Sequence, residues 1–379
     1  MSGKPLAAVG EWIDWIITAG ALALAGWGQH LFAAGQMARA VLAMSAAAIL
    51  FAWGVRRRPA AEPAAVPPAA VPPAQRSAGL ALLALSILCT ALALWRFGTH
   101  TPDNAGWALY LASMTLLLLA FLVMEVLPNR KSLRRWASRA RELRWELFLL
   151  FVLLAAGGVL RFYGVDALPY GVWFDESDNA VWAREILTRP DFRPLYVAST
   201  NLPAHFLYLI ALSFKLFGVN AGALRIVTAF FGTATILGMW LLGREIGGRW
   251  VGLLAAGMVA VSHWCINFSR LGMHGITTPF FAVMAAYWLL KGLRTGSRLR
   301  LAAGGLMLGL GLCFYAPFRL FPFVIGLFLA AKVFLERGFL QRGWQSVLIY
   351  VLASLIAFAP IGQYALVHRD EFFARTKQT

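Results

Sequence analysis

Long apolar runs separated by short polar or basic segments organise almost the whole chain. Many of these runs are near the roughly 20 residues that an α-helix needs to cross about 30 Å of hydrocarbon. The pattern predicts about eleven membrane-spanning helices, over residues 12–28, 38–55, 78–96, 105–127, 147–163, 221–242, 250–268, 276–292, 301–316, 318–333 and 345–366. We therefore expect an all-α polytopic membrane protein.

Two stretches do not fit a simple series of spans. Residues 201–218 are apolar, but they begin with polar residues and contain Pro203, which favours a short helix at or dipping into the membrane interface. A full span is the alternative for this stretch. Pro317 separates the ninth and tenth runs, which could instead form one broken hairpin.

Composition supports lipid as the solvent of this chain. Of its 379 residues, 60% are hydrophobic, whereas soluble domains average about 45–50%. The net charge of +17 would suggest nucleic-acid binding in a soluble protein, but no basic-aromatic recognition module is present and the cations flank apolar runs. Cys89, Cys265 and Cys313 lack the paired spacing of a disulfide framework or a metal site, so we expect neither.

Lysine and arginine predict the orientation in the membrane, since they concentrate in cytoplasmic loops. Basic clusters occur at 56–58, 129–145, 244–249, 291–300 and 332–342. With a cytoplasmic N-terminus, every one of these clusters falls inside. The segments 164–220 and 269–275 and the C-terminal tail then face outside, which predicts a protein of the plasma (inner) membrane.

The linkers predict three parts. Residues 1–128 form an accessory module of four spans, divided by a Pro/Ala-rich linker at 59–75. Residues 129–146 form a basic amphipathic helix on the cytoplasmic leaflet. Residues 147–379 form a core of about seven spans, with its longest external loop at 164–220 and short interfacial helices within that loop.

An acidic cluster lies near the start of this external loop, in "FDESDN". The chain has only 17 acidic residues, and Asp175, Glu176 and Asp178 fall within four positions. Because a carboxylate in hydrocarbon costs about 2.5–3.5 kcal/mol, acids at the end of a span indicate solvent or function. Alternatively, Ser177 or Asp178 caps the helix that follows. Capping explains one or two of the acids, but it does not require Asp175 and Glu176 to be adjacent, so both are candidate catalytic residues.

Two further external segments supply candidate binding residues. With Asp178, the candidates are Asn267, Arg270, His274, Tyr315 and Arg319. Arg270 and Arg319 lie outside, where the charge rule gives no reason for arginine, although interfacial snorkelling is an alternative. Because guanidinium groups suit phosphate oxygens, we expect these two arginines to bind an anionic group. The histidines lack metal-ligand spacing, and we assign no metal ligand.

The order of these motifs resembles a known family. "LRFYGVDALPYGVWFDESDNAVWAREIL" places Arg161-Phe162, Pro169 and Asp175-Glu176 in the pattern of the first external loop of GT-C glycosyltransferases. "FKLFGVNAGALRIVTAFFGTATILGMWLLGREIGGRWVGLLAA" at 214–256 and "FSRLGMH" resemble the segments that follow in that family. The likeness covers about 147–366 and is greatest to the group of protein mannosyltransferases and aminoarabinose transferases.

The resemblance implies transfer of a sugar from a polyprenyl-phosphate donor to an acceptor on the extracytoplasmic face, with inversion. The acidic catalytic residue of the family corresponds to Asp175, with Glu176 beside it. A carboxylate there accepts the proton of the attacking hydroxyl. Arg270 and Arg319, with His274 and Tyr315 as secondary candidates, would stabilise the departing lipid phosphate.

One departure from the family pattern concerns metal binding. Many members carry a second acidic residue in the loop between the seventh and eighth predicted spans, but residues 257–300 contain neither Asp nor Glu. We therefore expect no required divalent cation. The acceptor could be a protein, a glycolipid or a polysaccharide.

Two other functions compete with sugar transfer. A transporter or lipid flippase would place charges or broken helices near the bilayer midplane, whereas this chain gathers its charges at the ends of the spans. A non-catalytic membrane scaffold with the same fold is the second alternative.

Overall fold

A computed structural model describes residues 71–125, 143–197, 200–336 and 338–372, together with scattered positions between 17 and 50. The chain divides into two compact units, Met1–Val66 and Pro67–Thr379. The described positions of the first unit are helical except at 34–36. The other positions of the predicted spans 12–28 and 38–55 lie outside the described residues, as do 59–70 of the predicted linker and 129–142 of the predicted basic helix.

The described part of the second unit is almost entirely helical. Its α-helices are α1 Pro73–Thr99, α2 Asn104–Glu125, α3 Arg144–Phe162, α4 Phe174–Thr188, α5 His205–Phe217, α6 Ala221–Gly247, α7 Arg249–Val261, α8 His263–Ser269, α9 Thr277–Thr295, α10 Arg298–Leu312, α11 Phe321–Leu335 and α12 Phe339–Val367. Short 3₁₀ helices lie at His274–Ile276 and Ala316–Leu320.

A two-stranded antiparallel sheet precedes α5. Its strands are β1 Tyr196–Val197 and β2 Leu202–Pro203, with Tyr196 opposite Pro203 and Val197 opposite Leu202. The turn that joins the strands includes Asn201, whose φ is +52°. Asparagine adopts this left-handed conformation more readily than most residues, which allows the chain to turn from β1 into β2.

Each apolar run predicted after residue 70 is helical, with the run 250–268 divided between α7 and α8, and this agreement confirms the all-α membrane class. Seven helical segments of the described chain are long and apolar enough to cross a membrane, and the pair α7 and α8, bent by 59°, would make an eighth. The predicted total of about eleven is therefore not confirmed. The helix α5 has 13 residues and is about 20 Å long, too short for the full span that was the alternative at 201–218.

The helices α1 and α2 belong to the same compact unit as the later helices. The Tyr110 hydroxyl of α2 donates to the Ala357 carbonyl of α12 at 2.5 Å, and the Gln363 amide of α12 donates to the Leu94 carbonyl of α1 at 2.9 Å. These hydrogen bonds, one buried and one half-buried, join α1 and α2 to α12. The accessory role of residues 1–128 stays a prediction. The boundary between units falls after Val66.

Close packing of α10 against α12 depends on glycine. A Cβ added at Gly309 would collide with the Ser354 carbonyl oxygen, which is backbone and cannot rotate away. We expect Gly309→Ala to destabilise the fold by about 1–3 kcal/mol through overpacking. Gly326→Ala in α11 is the control, since its added Cβ meets no atom within 4 Å. Thermal unfolding of the detergent-purified protein, followed by circular dichroism, compares the two; equal melting temperatures would contradict the assignment.

Ion pairs and hydrogen bonds place several of the described loops at the same end of the helices. At one end Glu125 accepts hydrogen bonds from Ser297 and Leu299, and Glu146 accepts one from Arg244 at 2.6 Å. The opposite end of α6 lies about 40 Å away, since α6 has 27 residues. Glu245 of α6 pairs with Lys291 and Arg294 of α9. The basic segments 244–249 and 291–300 thus share one end, whose cytoplasmic assignment stays a prediction.

Candidate functional site

Asp175 and Glu176 lie in the first turn of α4, whose N-cap is Trp173, four residues before Ser177. The Trp173 amide donates to the Glu176 carboxylate at 3.0 Å, so Glu176 closes the first turn. The Ser177 hydroxyl donates to the Phe174 carbonyl inside the helix. The prediction that Ser177 or Asp178 begins the helix is therefore wrong, because Glu176 already satisfies the free amide at its start.

Glu176 is fully buried and fully hydrogen-bonded. Its Oε1 accepts from Arg225 Nε at 2.8 Å and from the Gly272 amide at 2.7 Å, and its Oε2 accepts from Trp173 and from Arg225 Nη2 at 3.1 Å. A carboxylate has about four acceptor directions, and all four are occupied. Glu176 therefore has no free oxygen for a substrate proton, which corrects the prediction of a catalytic pair.

The environment of Glu176 keeps its carboxylate ionised. Burial favours the neutral acid, but the hydrogen bonds from Arg225, Gly272 and Trp173 outweigh burial and hold the pKa of Glu176 below its usual value. Both charges of the Glu176–Arg225 pair are inaccessible to solvent, at 0% and 1% exposure of the side chains. The pair is thus an ionic link within the protein.

Arg225 extends this link to the loop before α4. Its guanidinium donates to the Pro169 carbonyl at 3.0 Å and to the Gly171 carbonyl at 2.6 Å. One side chain at the start of α6 therefore holds the loop, the first turn of α4 and, through Glu176, the loop at Gly272. Sequence reasoning missed Arg225. The available signal was the one used for Arg270, an arginine at the predicted external end of a span.

Asp175 faces the other way, into a cavity of about 310 Å³. The cavity is lined by Phe174, Asp175, Asp178, Asn179, Thr200, Asn201, Leu202, Phe268, Met273, His274, Gly275 and Tyr315. Asp175 is exposed, and within the described chain its carboxylate has no hydrogen-bond partner. The Asn179 amide donates to the Gly272 carbonyl at 2.9 Å, which fixes this face of α4 against the loop before His274.

His274 and Tyr315 bring an imidazole and a phenol to the same cavity. His274 is buried and packs on Phe206, with 4.4 Å between ring centroids. Its ring lies nearly parallel to that of Tyr315, with centroids 6.1 Å apart. Of the predicted site residues, the structure thus brings together Asp175, Asp178, His274 and Tyr315.

Arg270 does not line this cavity. Its guanidinium donates to the carbonyls of Leu160, Tyr163 and Leu168 at 2.9, 2.8 and 3.2 Å. These carbonyls belong to the C-terminal end of α3 and the loop that follows it. The contacts describe a clamp on the end of a helix, because terminal carbonyls have no partner within the helix itself.

Arg319 and Asn267 also lie outside the cavity lining. Arg319 donates to the Phe372 carbonyl at 3.1 Å, and its guanidinium carbon lies 3.7 Å from the centroid of the Phe372 ring. Asn267 lies beside His263, with its amide nitrogen 3.2 Å from the ring. No arginine or lysine is among the described residues that line the cavity. The prediction that Arg270 and Arg319 bind a phosphate beside Asp175 is therefore wrong for this cavity.

Arg161 supports the same end of the bundle from within. It is fully buried and donates to the carbonyls of Val259 and Ala260 at 2.8 and 3.0 Å, and to the Ser269 hydroxyl at 3.2 Å. These carbonyls end α7, where the chain bends into α8. Arg161 thus satisfies the backbone at the bend that carries the chain towards His274.

The described residues contain no group of three or more His, Cys, Asp or Glu side chains placed to hold a metal ion. Asp175 and Asp178 are the carboxylates that line the cavity. The arrangement combines an imidazole, a phenol and a carboxylate, that of Asp175, which has no partner among the described residues. The three groups share a concave site at one end of a helical bundle.

Comparison with known proteins supports the resemblance indicated by the sequence motifs. The family described as dolichyl-phosphate-mannose-protein mannosyltransferase matches residues 201–364. This range includes Arg225, His274 and Tyr315, whereas Asp175 and Glu176 precede it. The match thus confirms the likeness to GT-C protein mannosyltransferases over the second half of the chain.

Among solved structures, the S. cerevisiae protein O-mannosyltransferase Pmt1-Pmt2 complex bound to the sugar donor is similar, with 20% sequence identity and a TM-score of 0.47. The similarity covers 60% of this chain and 34% of that one, so the chain matches about a third of the length of that protein. No curated protein matches the chain significantly.

Proposed function

We propose that this chain is an integral-membrane glycosyltransferase that moves a sugar from a polyprenyl-phosphate donor to an acceptor on the extracytoplasmic face of the plasma (inner) membrane. The observation that carries the proposal is the free carboxylate of Asp175 in a cavity that also holds His274 and Tyr315. Its position at one end of the spans suits a donor whose prenyl chain lies in lipid and whose phosphate lies at the surface.

In the proposed reaction Asp175 acts as general base. Its carboxylate accepts the proton of an acceptor hydroxyl while that oxygen attacks the anomeric carbon of the donor sugar. The new bond joins the acceptor oxygen to the sugar, and the bond that breaks joins the anomeric carbon to the phosphate oxygen. The electron pair leaves with the lipid phosphate, and attack opposite this leaving group inverts the anomeric centre.

His274 and Tyr315 replace the arginines as the proposed donor-phosphate contacts. The imidazole and the phenol are hydrogen-bond donors that line the cavity with Asp175, and such donors stabilise the negative charge that grows on the departing phosphate. Asp178 is proposed to bind substrate, since it lines the same cavity one helical turn from Asp175. Glu176, Arg225 and Arg270 become positioning residues.

If His274 and Tyr315 contact the donor phosphate, removing either hydrogen-bond donor should weaken binding of the sugar donor. His274→Gln and Tyr315→Phe should each raise the KM for the donor by about 10- to 100-fold, the effect of losing one hydrogen bond to a charged group. His263→Gln is the matched control, because His263 is exposed and does not line the cavity. Steady-state kinetics with the donor varied measure the effect. A His263 variant as impaired as the His274 variant would remove the assignment.

Transfer by the purified full chain tests the proposed function itself. The chain in lipid nanodiscs is incubated with radiolabelled dolichyl-phosphate mannose, chosen because the matching family is described by that donor, and with peptide, glycolipid or polysaccharide acceptors. We expect labelled acceptor and free lipid phosphate in equal amounts. If neither this donor nor other polyprenyl-phosphate sugars lose their sugar, and no such lipid copurifies by mass spectrometry, the proposal fails.

A further inference from the structure

A second cavity lies at the other end of α6, about 30 Å along the helix from Arg225. Its volume is about 260 Å³, and its lining includes Arg244, Glu245, Arg249, Tyr287, Lys291 and Arg294. The proposed transfer reaction uses none of these residues. The cavity is bounded by the ends of α6 and α9 and by the start of α7.

Four cationic side chains converge on this cavity. Glu245 lies within 2.8 Å of Lys291 and 2.7 Å of Arg294, and Glu146 lies 2.6 Å from Arg244. Four positive and two negative charges leave a net charge of +2 around the space. The positive charge therefore exceeds what the neighbouring carboxylates neutralise.

The two carboxylates hold the cations in place. The side chains of Glu245 and Glu146 are only 6% and 4% exposed, whereas their cationic partners are 22–47% exposed, so each buried carboxylate anchors cations that reach solvent. Glu245 brings the ends of Lys291 and Arg294 together from successive turns of α9. A cluster whose geometry is set in advance loses less side-chain entropy when an anion binds.

Within the described part of the chain, Arg249 is the one of these four cations that has no ion pair. Among the described residues no carboxylate lies within ion-pair distance of it, and its guanidinium stacks over the Trp250 ring at 5.2 Å. It is the first residue of α7, whose N-terminal amides add partial positive charge at the same place. Tyr287, which is 9% exposed, brings its aromatic ring and hydroxyl to the lining.

The preference for basic residues in cytoplasmic loops explains why lysine and arginine occur at this end. That preference concerns the composition of a loop. It does not explain why four cations line one cavity or why two of its neighbouring carboxylates are buried. A ligand for this space must be small, since pockets for drug-sized molecules are about 300–1,000 Å³. It must also be strongly anionic.

We propose that this cavity binds a phosphate group with at least three unesterified oxygens, on the face opposite the Asp175 site. Arginine forks match phosphate oxygens in bidentate geometry, and lysine adds a point charge. The phosphate could belong to a lipid headgroup or to a free ion, since both present the same oxygens. The proposal does not depend on the sugar-transfer reaction, because it rests on the second cavity alone.

Arg249→Gln tests the site without breaking a described ion pair. Binding of inorganic [³²P]phosphate to the purified full chain should weaken at least about tenfold in this variant, since one charged hydrogen-bond donor is lost. Arg298→Gln is the matched control: it removes the same charge from the same end of the bundle, and Arg298 is exposed and does not line the cavity. The control should bind phosphate as the unmodified chain does.

Native mass spectrometry separates the two sources of phosphate. Nanodiscs of phosphatidylcholine with added phosphatidic acid provide the lipid probe, and retained phosphatidic acid that Arg249→Gln loses and Arg298→Gln keeps identifies a headgroup site. Saturable inorganic phosphate binding without retained phosphatidic acid identifies a free-ion site. The absence of both, or equal losses in the two variants, overturns the proposal. Circular dichroism melting of each variant confirms that the fold is kept.

Discussion

Replacing Arg225 by methionine should cause the largest loss of stability among single changes at the end of the bundle that holds the Asp175 cavity. The substitution leaves the Glu176 carboxylate buried at 0% exposure without its cation. Breaking a buried ion pair by removing one partner costs about 3–5 kcal/mol. Because whole proteins are stable by only about 5–15 kcal/mol, we expect little folded protein to accumulate.

The loss has a second source in the loop before α4. Arg225 also donates to the Pro169 and Gly171 carbonyls, which then lack these partners. Size-exclusion chromatography of the detergent-extracted, fluorescently tagged chain measures the folded fraction and its melting temperature. The double variant Glu176→Gln with Arg225→Met should be less unstable than the sum of the single changes, since the two side chains contact each other.

Arg189→Gln is the matched control for this experiment. Arg189 belongs to an exposed ion-pair cluster with Glu185 at 3.4 Å and Asp191 at 3.3 Å. Exposed ion pairs contribute only about 0–1 kcal/mol, so this variant should behave almost as the unmodified chain does. If Arg225→Met were as stable as Arg189→Gln, the buried pair would not be what holds the loop, α4 and α6 together.

The helices could be predicted from sequence because their signal is local. Lipid requires runs of apolar residues of a fixed length, and the runs after residue 70 coincide with the observed helices. The length of individual spans was less predictable. A run of apolar residues at 250–268 conceals the bend between α7 and α8, which depends on hydrogen bonds from Arg161 on α3.

The site could be predicted only in part, because charge pattern alone does not show which way a side chain points. Asp175 and Glu176 are adjacent in sequence, but successive helical residues lie about 100° apart, so one faces the cavity and the other faces Arg225. The sequence predicts that Arg270 and Arg319 lie outside and bind an anionic group, but both arginines donate to backbone carbonyls. Their carbonyl partners, at Leu160 and Phe372, are distant in sequence and carry no residue-type signal.

Arg225 was missed for a related reason. An arginine at the end of an apolar run resembles an ordinary flanking residue, and nothing in the local sequence shows that Glu176 lies opposite it. The pair is 49 positions apart in the chain and forms only when α4 packs beside α6. Tertiary contact therefore determines which acid is structural and which is available for chemistry.

Asp175 is the acid that remains available for chemistry, whereas Glu176 is held by Arg225. Asp175→Asn should lower kcat for sugar transfer by about 10²–10⁴-fold, the usual contribution of a positioned general base. The amide keeps the size of the side chain but cannot accept the hydroxyl proton. Because Asp175 is exposed and no hydrogen bond of its carboxylate is found among the described residues, the melting temperature and the KM for the donor should change little.

Glu185→Gln is the control for this loss of charge, since Glu185 lies on the same helix, pairs with Arg189 and does not line the cavity. Single-turnover transfer with saturating donor isolates the chemical step in both variants. If Asp175→Asn keeps its rate while Asp178→Asn loses it, the base is the neighbouring carboxylate of the cavity. If neither change slows transfer, the reaction does not use a carboxylate from this turn of α4, and the Asp175 assignment fails.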